Sequence, residues 1–407
     1  MTVDRRTFVK GCAGVLATPY LVKNAFAEET IKVASIHDAS GVLDILGKPM
    51  AAMTQMAIDE INAGGGLLGK KIELKSYDTQ SNNQLYGQYA TEAATRYKVA
   101  AVFGAVTSAS REIVRPILRR YKTLYFYSTQ YEGGVCDRNI FCLGTTPGQK
   151  TEKIIPYAMN KFGKRVYTVA ADYNFGHIVS KWHEKVVTEN GGTFEGVEFF
   201  PLEQTDFGPT LKKIQSIQPD FVMADLVGSN HIGFFRQWVS SGMADRIGLA
   251  STIFGTGNEQ LFTNPREHNG ILTSACYFPE IDTPENKDFI ARAAKATGSD
   301  RSPINELPAM SYYAPQLWAE AVRSAGSFDR DAVTKALEGN LTYKGPGGPI
   351  TVDAESHHVT HDIYIAEAWD HGFKILERYE NLPPSDTAAV CDLAANPSDT
   401  KQYVLGN

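Results

Sequence analysis

Three short segments hold the side chains best suited to grip a small molecule. Residues 104–110 (GAVTSAS) end in small hydroxyl residues where a helical pattern begins. Hydroxyls and free backbone N–H groups at a helix start offer hydrogen bonds to a polar ligand; Ser108 and Ser110 would serve equally well as plain caps. Residues 127–134 (YSTQYEGG) put Thr129 between Tyr127 and Tyr131. Aromatic faces there would pack a small flat molecule while Thr129 bonds its edge. Residues 172–176 (DYNFG) offer Tyr173 and Phe175 as a wall from another direction.

Other motifs lead nowhere. Gly64, Gly69 and Lys70 have P-loop spacing, but position 71 is Lys and the glycines precede a strand pattern, so the phosphate cradle is missing. There is no G-x-S-x-G, H-E-x-x-H or C-x-x-C. His357, His358 and His361 crowd together without a cysteine pair and read as surface or turn histidines, so no metal and no cofactor is expected. With no nucleophile motif, the chain is not expected to be an enzyme. Its formal charge of -6 argues against nucleic acid as a partner, since that needs a basic surface. No run of 18 apolar residues is present to span a membrane.

The elements that must hold these segments alternate. Apolar runs at 31–37, 71–77, 100–104 and 124–127 read as strands, and the helical spacings at 46–61, 84–97 and 110–120 lie between them. The pattern restarts with helices at 150–162, 177–190, 207–217 and 231–241 and strands at 166–171, 193–199, 221–224 and 248–253. Helices follow at 286–296, 307–325 and 330–337, then short strands near 350–352, 362–368 and 373–378. The expectation is α/β: two parallel sheets covered by helices. Ligands in such sheets bind beyond the carboxyl ends of the strands, which is where the three segments fall.

Residues 1–27 read as an export signal. Arg5-Arg6-Thr7-Phe8 resembles a twin-arginine motif, a weakly apolar stretch follows, and Ala25-Phe26-Ala27 is a small-residue cleavage site. Removing them leaves 36 basic and 45 acidic residues, a net charge of -9, and the location expected is the periplasm. The four remaining cysteines allow three pairings. Cys136 and Cys142 are close, with a plausible turn between them, so that bridge is expected; four buried free thiols are the alternative.

Several stretches carry a resemblance: Glu60-Ile61-Asn62-Ala63-Gly64-Gly65, Thr107-Ser108-Ala109-Ser110-Arg111, Gln130-Tyr131-Glu132-Gly133, Ala171-Asp172-Tyr173 and Asp282-Thr283-Pro284-Glu285-Asn286. With them the chain resembles the receptors of hydrophobic amino acid and amide ABC transporters, in particular the urea and short-chain amide branch. The resemblance implies a type I periplasmic-binding-protein fold, two Rossmann-like lobes joined by a three-strand hinge. It places the crossings near 145–149, 276–279 and 358–361, with lobe 1 at 30–147 plus 278–360 and lobe 2 at 148–277 plus 361–407. It implies a monomer that closes on urea or an amide and docks on a membrane permease. A branched-chain or other apolar amino acid is the alternative ligand, and an amide sensor acting on a regulatory partner the alternative role. Carried over by position, Ser108, Tyr127, Thr129, Tyr173, Val227 and Gly228 are the ligand contacts. Val106 stands where amide sensors have an aromatic, and Phe175 is followed by Gly176 where the amide branch has Pro. Amino-acid-binding relatives place a carboxylate after the strand near 248–253; here Phe254 follows and the first acid is Glu259. Asp38 and Glu280 either face the cleft or serve as loop acids.

Overall fold

The computed structural model describes residues 30–298 and 304–404; the export-signal reading of 1–27 lies outside them. The first sheet holds β1 (Thr30–His37), β2 (Lys71–Asp78), β3 (Ala101–Gly104), β4 (Leu124–Tyr127) and β5 (Ile140–Cys142), in the order β2-β1-β3-β4-β5 and parallel throughout. Between them run α1 (Asp44–Ala63), α2 (Asn83–Glu92) with a π turn at Ala93–Tyr97, and α3 (Ser108–Arg120). Thr107 starts α3 with a reciprocal cap: its Oγ1 accepts from Ser110 N–H while Ser110 Oγ accepts from Thr107 N–H.

α4 (Pro147–Phe162) opens the second half, with Pro147 in the first turn, where its missing N–H costs nothing. There follow β6 (Arg165–Ala171), α5 (Asn174–Glu189), β7 (Thr193–Phe200), α6 (Gly208–Ile217), β8 (Phe221–Asp225), α7 (Ser229–Ser240) and β9 (Gly248–Ser251). Single turns α8 (Glu259–Phe262) and α9 (Pro265–His268) lead to β10 (Leu272–Ala275). The chain then returns to the first half. α10 (Pro284–Thr297) and α11 (Glu306–Ala325) pack on α1, where Tyr312 O–H donates to Glu60 at 2.6 Å, and α12 (Arg330–Leu337) packs on α11. After the hairpin of β11 (Thr342–Gly345) and β12 (Gly348–Thr351), the chain crosses again to β13 (His361–Trp369), β14 (Gly372–Leu382) and α13 (Ser385–Ala388). The second sheet has the order β14-β13-β10-β9-β8-β6-β7, parallel except where β13 pairs with β10 and β14.

Two expectations are corrected. Cys136 is bonded to Cys391, 255 residues away, and Cys142 is a buried free thiol, as is Cys276. The reason is β5: residues 140–142 pair with β4 as a strand, which places Cys142 in the core instead of on a turn facing Cys136. The bridge also brings the C-terminal segment back to the first half. Cys136 N–H donates to Lys401 O (2.8 Å), Tyr403 N–H to Gly134 O (2.7 Å), and Arg115 to Thr400 O (2.9 Å). Residues 391–403 therefore lie along the β4–β5 loop, although the resemblance puts them wholly in the second lobe.

Candidate functional site

The carboxyl ends of the two sheets face one cavity of about 30 Å³. Val106, Ser108, Tyr127 and Thr129 line it from the loops of β3 and β4, and Tyr173, Phe175 and Val227 from those of β6 and β8. Leu46, Gln130, Ile253, Thr256 and Leu307 complete it. Its apolar members belong to one packed cluster that runs from Leu43 and Met50 of the first half to Ala171 and Val179 of the second. Gly228, just behind Val227, caps α7 at φ +85°, and a Cβ there would sit 3.2 Å from Val42 O. Glycine thus permits both the left-handed backbone and the close approach of the two halves.

Four of the five hydroxyl groups in the cavity share one orientation. Ser108 O–H donates to Glu132 Oε2, Tyr127 O–H to Val106 O (3.1 Å), Thr129 O–H to Ala105 O (3.3 Å) and Thr256 O–H to Ile253 O (2.7 Å). Each proton is committed to the protein, so each oxygen is left to accept. Burial pushes the phenols of Tyr127 and Tyr173 up, keeping both neutral. α3 begins at Ser108; Thr107 takes the N–H groups of Ser110 and Arg111 (3.0 and 2.9 Å), which leaves the amides of Ser108 and Ala109 without an intrahelical acceptor.

Behind Ser108 stands a buried ion pair. Glu132 and Arg111 are both fully buried, and Arg111 Nη2 donates to Glu132 Oε1 at 2.9 Å. Gln402, from the C-terminal segment, donates to the same oxygen. The guanidinium lies over the rings of Tyr131 (4.3 Å) and Tyr127 (5.2 Å), while its Nη1 makes no hydrogen bond.

Several residues singled out in the sequence stand elsewhere. Tyr131 lies behind the wall, its O–H bonded to His358 Nε2. Asp38 is buried in its own loop and accepts from Thr79, Ser81 N–H (2.8 Å) and Tyr86 O–H (2.6 Å). Glu259 accepts from Gly255 and Gly257 N–H (2.8 and 3.2 Å), and Phe254 packs on Phe235 and Phe373. Glu280 lies in a separate depression and accepts from Phe373 N–H (3.0 Å). The three histidines are buried, contrary to the surface reading. His361 donates to Leu143 O (2.8 Å) and His357 bonds Glu338 (3.1 Å), and no metal-holding group of three occurs among the described residues. Gln130 and Thr256 fall in post-strand loops and were within reach of the strand-exit rule. Leu46 and Leu307 reach the cavity from helix starts, for which no local signal exists.

The periplasmic binding protein family matches residues 30–372. A Leu/Ile/Val-binding protein homolog 6 from Brucella melitensis is 25% identical over 361 residues, covering 86% of this chain and 91% of that protein. A solute-binding protein of an ABC transporter from R. palustris, solved with 4-hydroxybenzoate, superposes with a TM-score of 0.79 at 23% identity, covering 88% of this chain and 98% of that one. The leucine-binding protein LivK of Thermotoga maritima gives 0.77 at 20% identity, covering 87% and 99%.

Proposed function

The chain belongs to the periplasmic binding protein family, and from that premise we propose that it is the extracytoplasmic substrate-binding component of an ABC importer, closing on urea or a short-chain amide. The observation that carries this ligand is the cavity's chemistry. Not one of its twelve lining residues is charged, and its hydroxyl oxygens are turned to accept. An amide NH2 group supplies donors to Ser108, Tyr127 and Thr129, and its carbonyl oxygen meets the first-turn amides of α3. Tyr173, Phe175 and Val227 close over it from the second lobe. A cavity of about 30 Å³ leaves room for only a small molecule, which favours urea or a short amide over a bulky side chain.

An amino acid brings an ammonium group, and burying it without a carboxylate costs several kcal/mol. Glu259 and Asp38 are spent on their own loops, and Glu132 is neutralised by Arg111. The second reading, a branched-chain amino acid, draws on the apolar wall of Leu46, Val227, Ile253 and Leu307 and on the Leu/Ile/Val-binding relatives.

In this reading the export signal delivers the chain to the periplasm, the lobes are 30–147 plus 278–360 and 148–277 plus 361–407, with residues 391–403 of the second laid against the first, and closure presents them together to the permease. A thermal-shift series with urea, formamide, acetamide, leucine and valine tests the ligand. At a hundredfold excess over Kd, binding adds about 2.7 kcal/mol and raises Tm by a few degrees. A shift with leucine or valine and none with the amides refutes the amide assignment.

A further inference from the structure

Gln130 is buried at the exit of β4 and faces both the ligand cavity and a smaller recess lined by Thr145, Thr146 and Lys150. Its Oε1 accepts from Lys150 Nζ. An ammonium group only donates, so the amide has one permitted orientation: oxygen toward Lys150, nitrogen away from it. Its Nε2 makes no hydrogen bond to any other described residue.

What holds Lys150 makes this orientation durable. Lys150 is 3% exposed and Glu306 1%, and Nζ lies 2.8 Å from Glu306 Oε2, while Thr145 O–H donates to Oε1 at 2.7 Å. Burial pushes the Glu306 carboxyl up, but Lys150 and Thr145 more than reverse this and leave it below its ordinary value, so the carboxylate is held ionised beside Lys150. The pair joins α4, just past the first crossing between the sheets, to the start of α11. Gln130 is thus clamped from behind by a buried charge that cannot turn to accept.

We propose that Gln130 selects for a carbonyl oxygen in the ligand: Nε2–H donates to that oxygen, while Ser108, Tyr127 and Thr129 accept from the ligand's N–H groups. The inference rests on the substrate-binding reading and sharpens it. The cavity is matched to one acceptor flanked by donors. A molecule of urea's shape with nitrogen in place of the oxygen, the guanidinium ion, sets donor against donor at Gln130.

The test is isothermal titration of the purified protein, Gln130→Met and Gln130→Glu, with urea, acetamide, guanidinium and leucine, alongside ligand-free melting curves. Gln130→Met removes the donor without adding charge. Gln130→Glu still offers Lys150 an oxygen but turns the second group into an acceptor. Gln130→Met should weaken whichever of urea, acetamide or leucine binds tightest by about tenfold or more. Gln130→Glu should do the same and shift the urea-to-guanidinium preference at least about tenfold toward guanidinium, a change that mere loosening of the fold does not produce. Unchanged affinity in Gln130→Met, or an unchanged preference in Gln130→Glu, overturns the role of Gln130. If the wild type binds leucine and neither amide, and Gln130→Met still costs about tenfold, the amide assignment falls and Gln130's role stands. Binding of none of the three oxygen-bearing probes by the wild type overturns both.

Discussion

The ion pair behind Ser108 yields the sharpest energetic prediction. Arg111 and Glu132 have no solvent exposure, so neither charge has water to fall back on. Glu132→Gln leaves the guanidinium with Glu112 alone, at 3.0 Å and partly exposed. Arg111→Met leaves the carboxylate with only Ser108 and Gln402 as donors. Removing one partner of a buried pair costs about 3–5 kcal/mol; with these residual contacts each single change should cost about 3 kcal/mol. The double variant has no buried charge to strand and should cost about 3 kcal/mol or less, where simple addition gives about 6. Thermal unfolding of the ligand-free wild type, both singles and the double closes the cycle, and the coupling expected is on the order of 3 kcal/mol. The same set reads the site. With Glu132→Gln the serine loses its charged acceptor, its proton is freed toward the cavity, and acetamide affinity should fall about tenfold. An additive double variant, or unchanged acetamide binding in Glu132→Gln, would refute the claim that Glu132 holds both the charge balance and the polarity of Ser108.

Two more predictions follow from the frame around the site. The Cys136–Cys391 bridge closes a loop of 255 residues, for which chain entropy allows at most about 5 kcal/mol of stabilisation. Cys391→Ala should lower Tm and match reduced wild type; dependence on Cys142 instead of Cys391 would contradict this pairing. His37, His358 and His361 are buried neutral, with burial lowering them to about 3, 4 and 4. Their folded values lie below the unfolded 6.5, so the unfolded chain takes up protons first and stability is lost as pH falls from about 6.5 toward 4. From pH 7 to 5 each should cost about 2 kcal/mol, read as a falling Tm; a flat profile would mean these imidazoles already carry protons in the folded protein.

Much of the fold was legible because periodicity survives wherever an element is long and one-faced. The helices at 108–120 and 147–162 and the strands at 30–37 and 165–171 stand within a few residues of their expected ranges. What escaped was short. β5 is three residues between turn-like neighbours, β10 is four, and neither can show a period. Missing β5 produced the wrong disulfide, because a strand keeps Cys142 pointing into the sheet. The acids misled for another reason. Asp38 and Glu259 look like free chemistry in a loop, yet each spends its oxygens on N–H and O–H groups that the loop itself exposes.

The cavity's composition carries only part of the ligand argument: no lining residue is charged, but serine, threonine and tyrosine hydroxyls donate or accept with equal ease. Polarity is decided one layer further out. Glu132, Ala105 O and Val106 O take the hydroxyl protons, and Lys150 turns the Gln130 amide. Two of those deciding groups are main-chain carbonyls, which every sequence supplies. The charged ones are each paired with a residue far along the chain, Lys150 with Glu306 and Glu132 with Gln402. On the proposed function, specificity in this cleft would be held by contacts between distant segments, and substitutions at Gln402 or Glu306, which do not line the cavity, should change the binding of urea, acetamide and leucine read by isothermal titration.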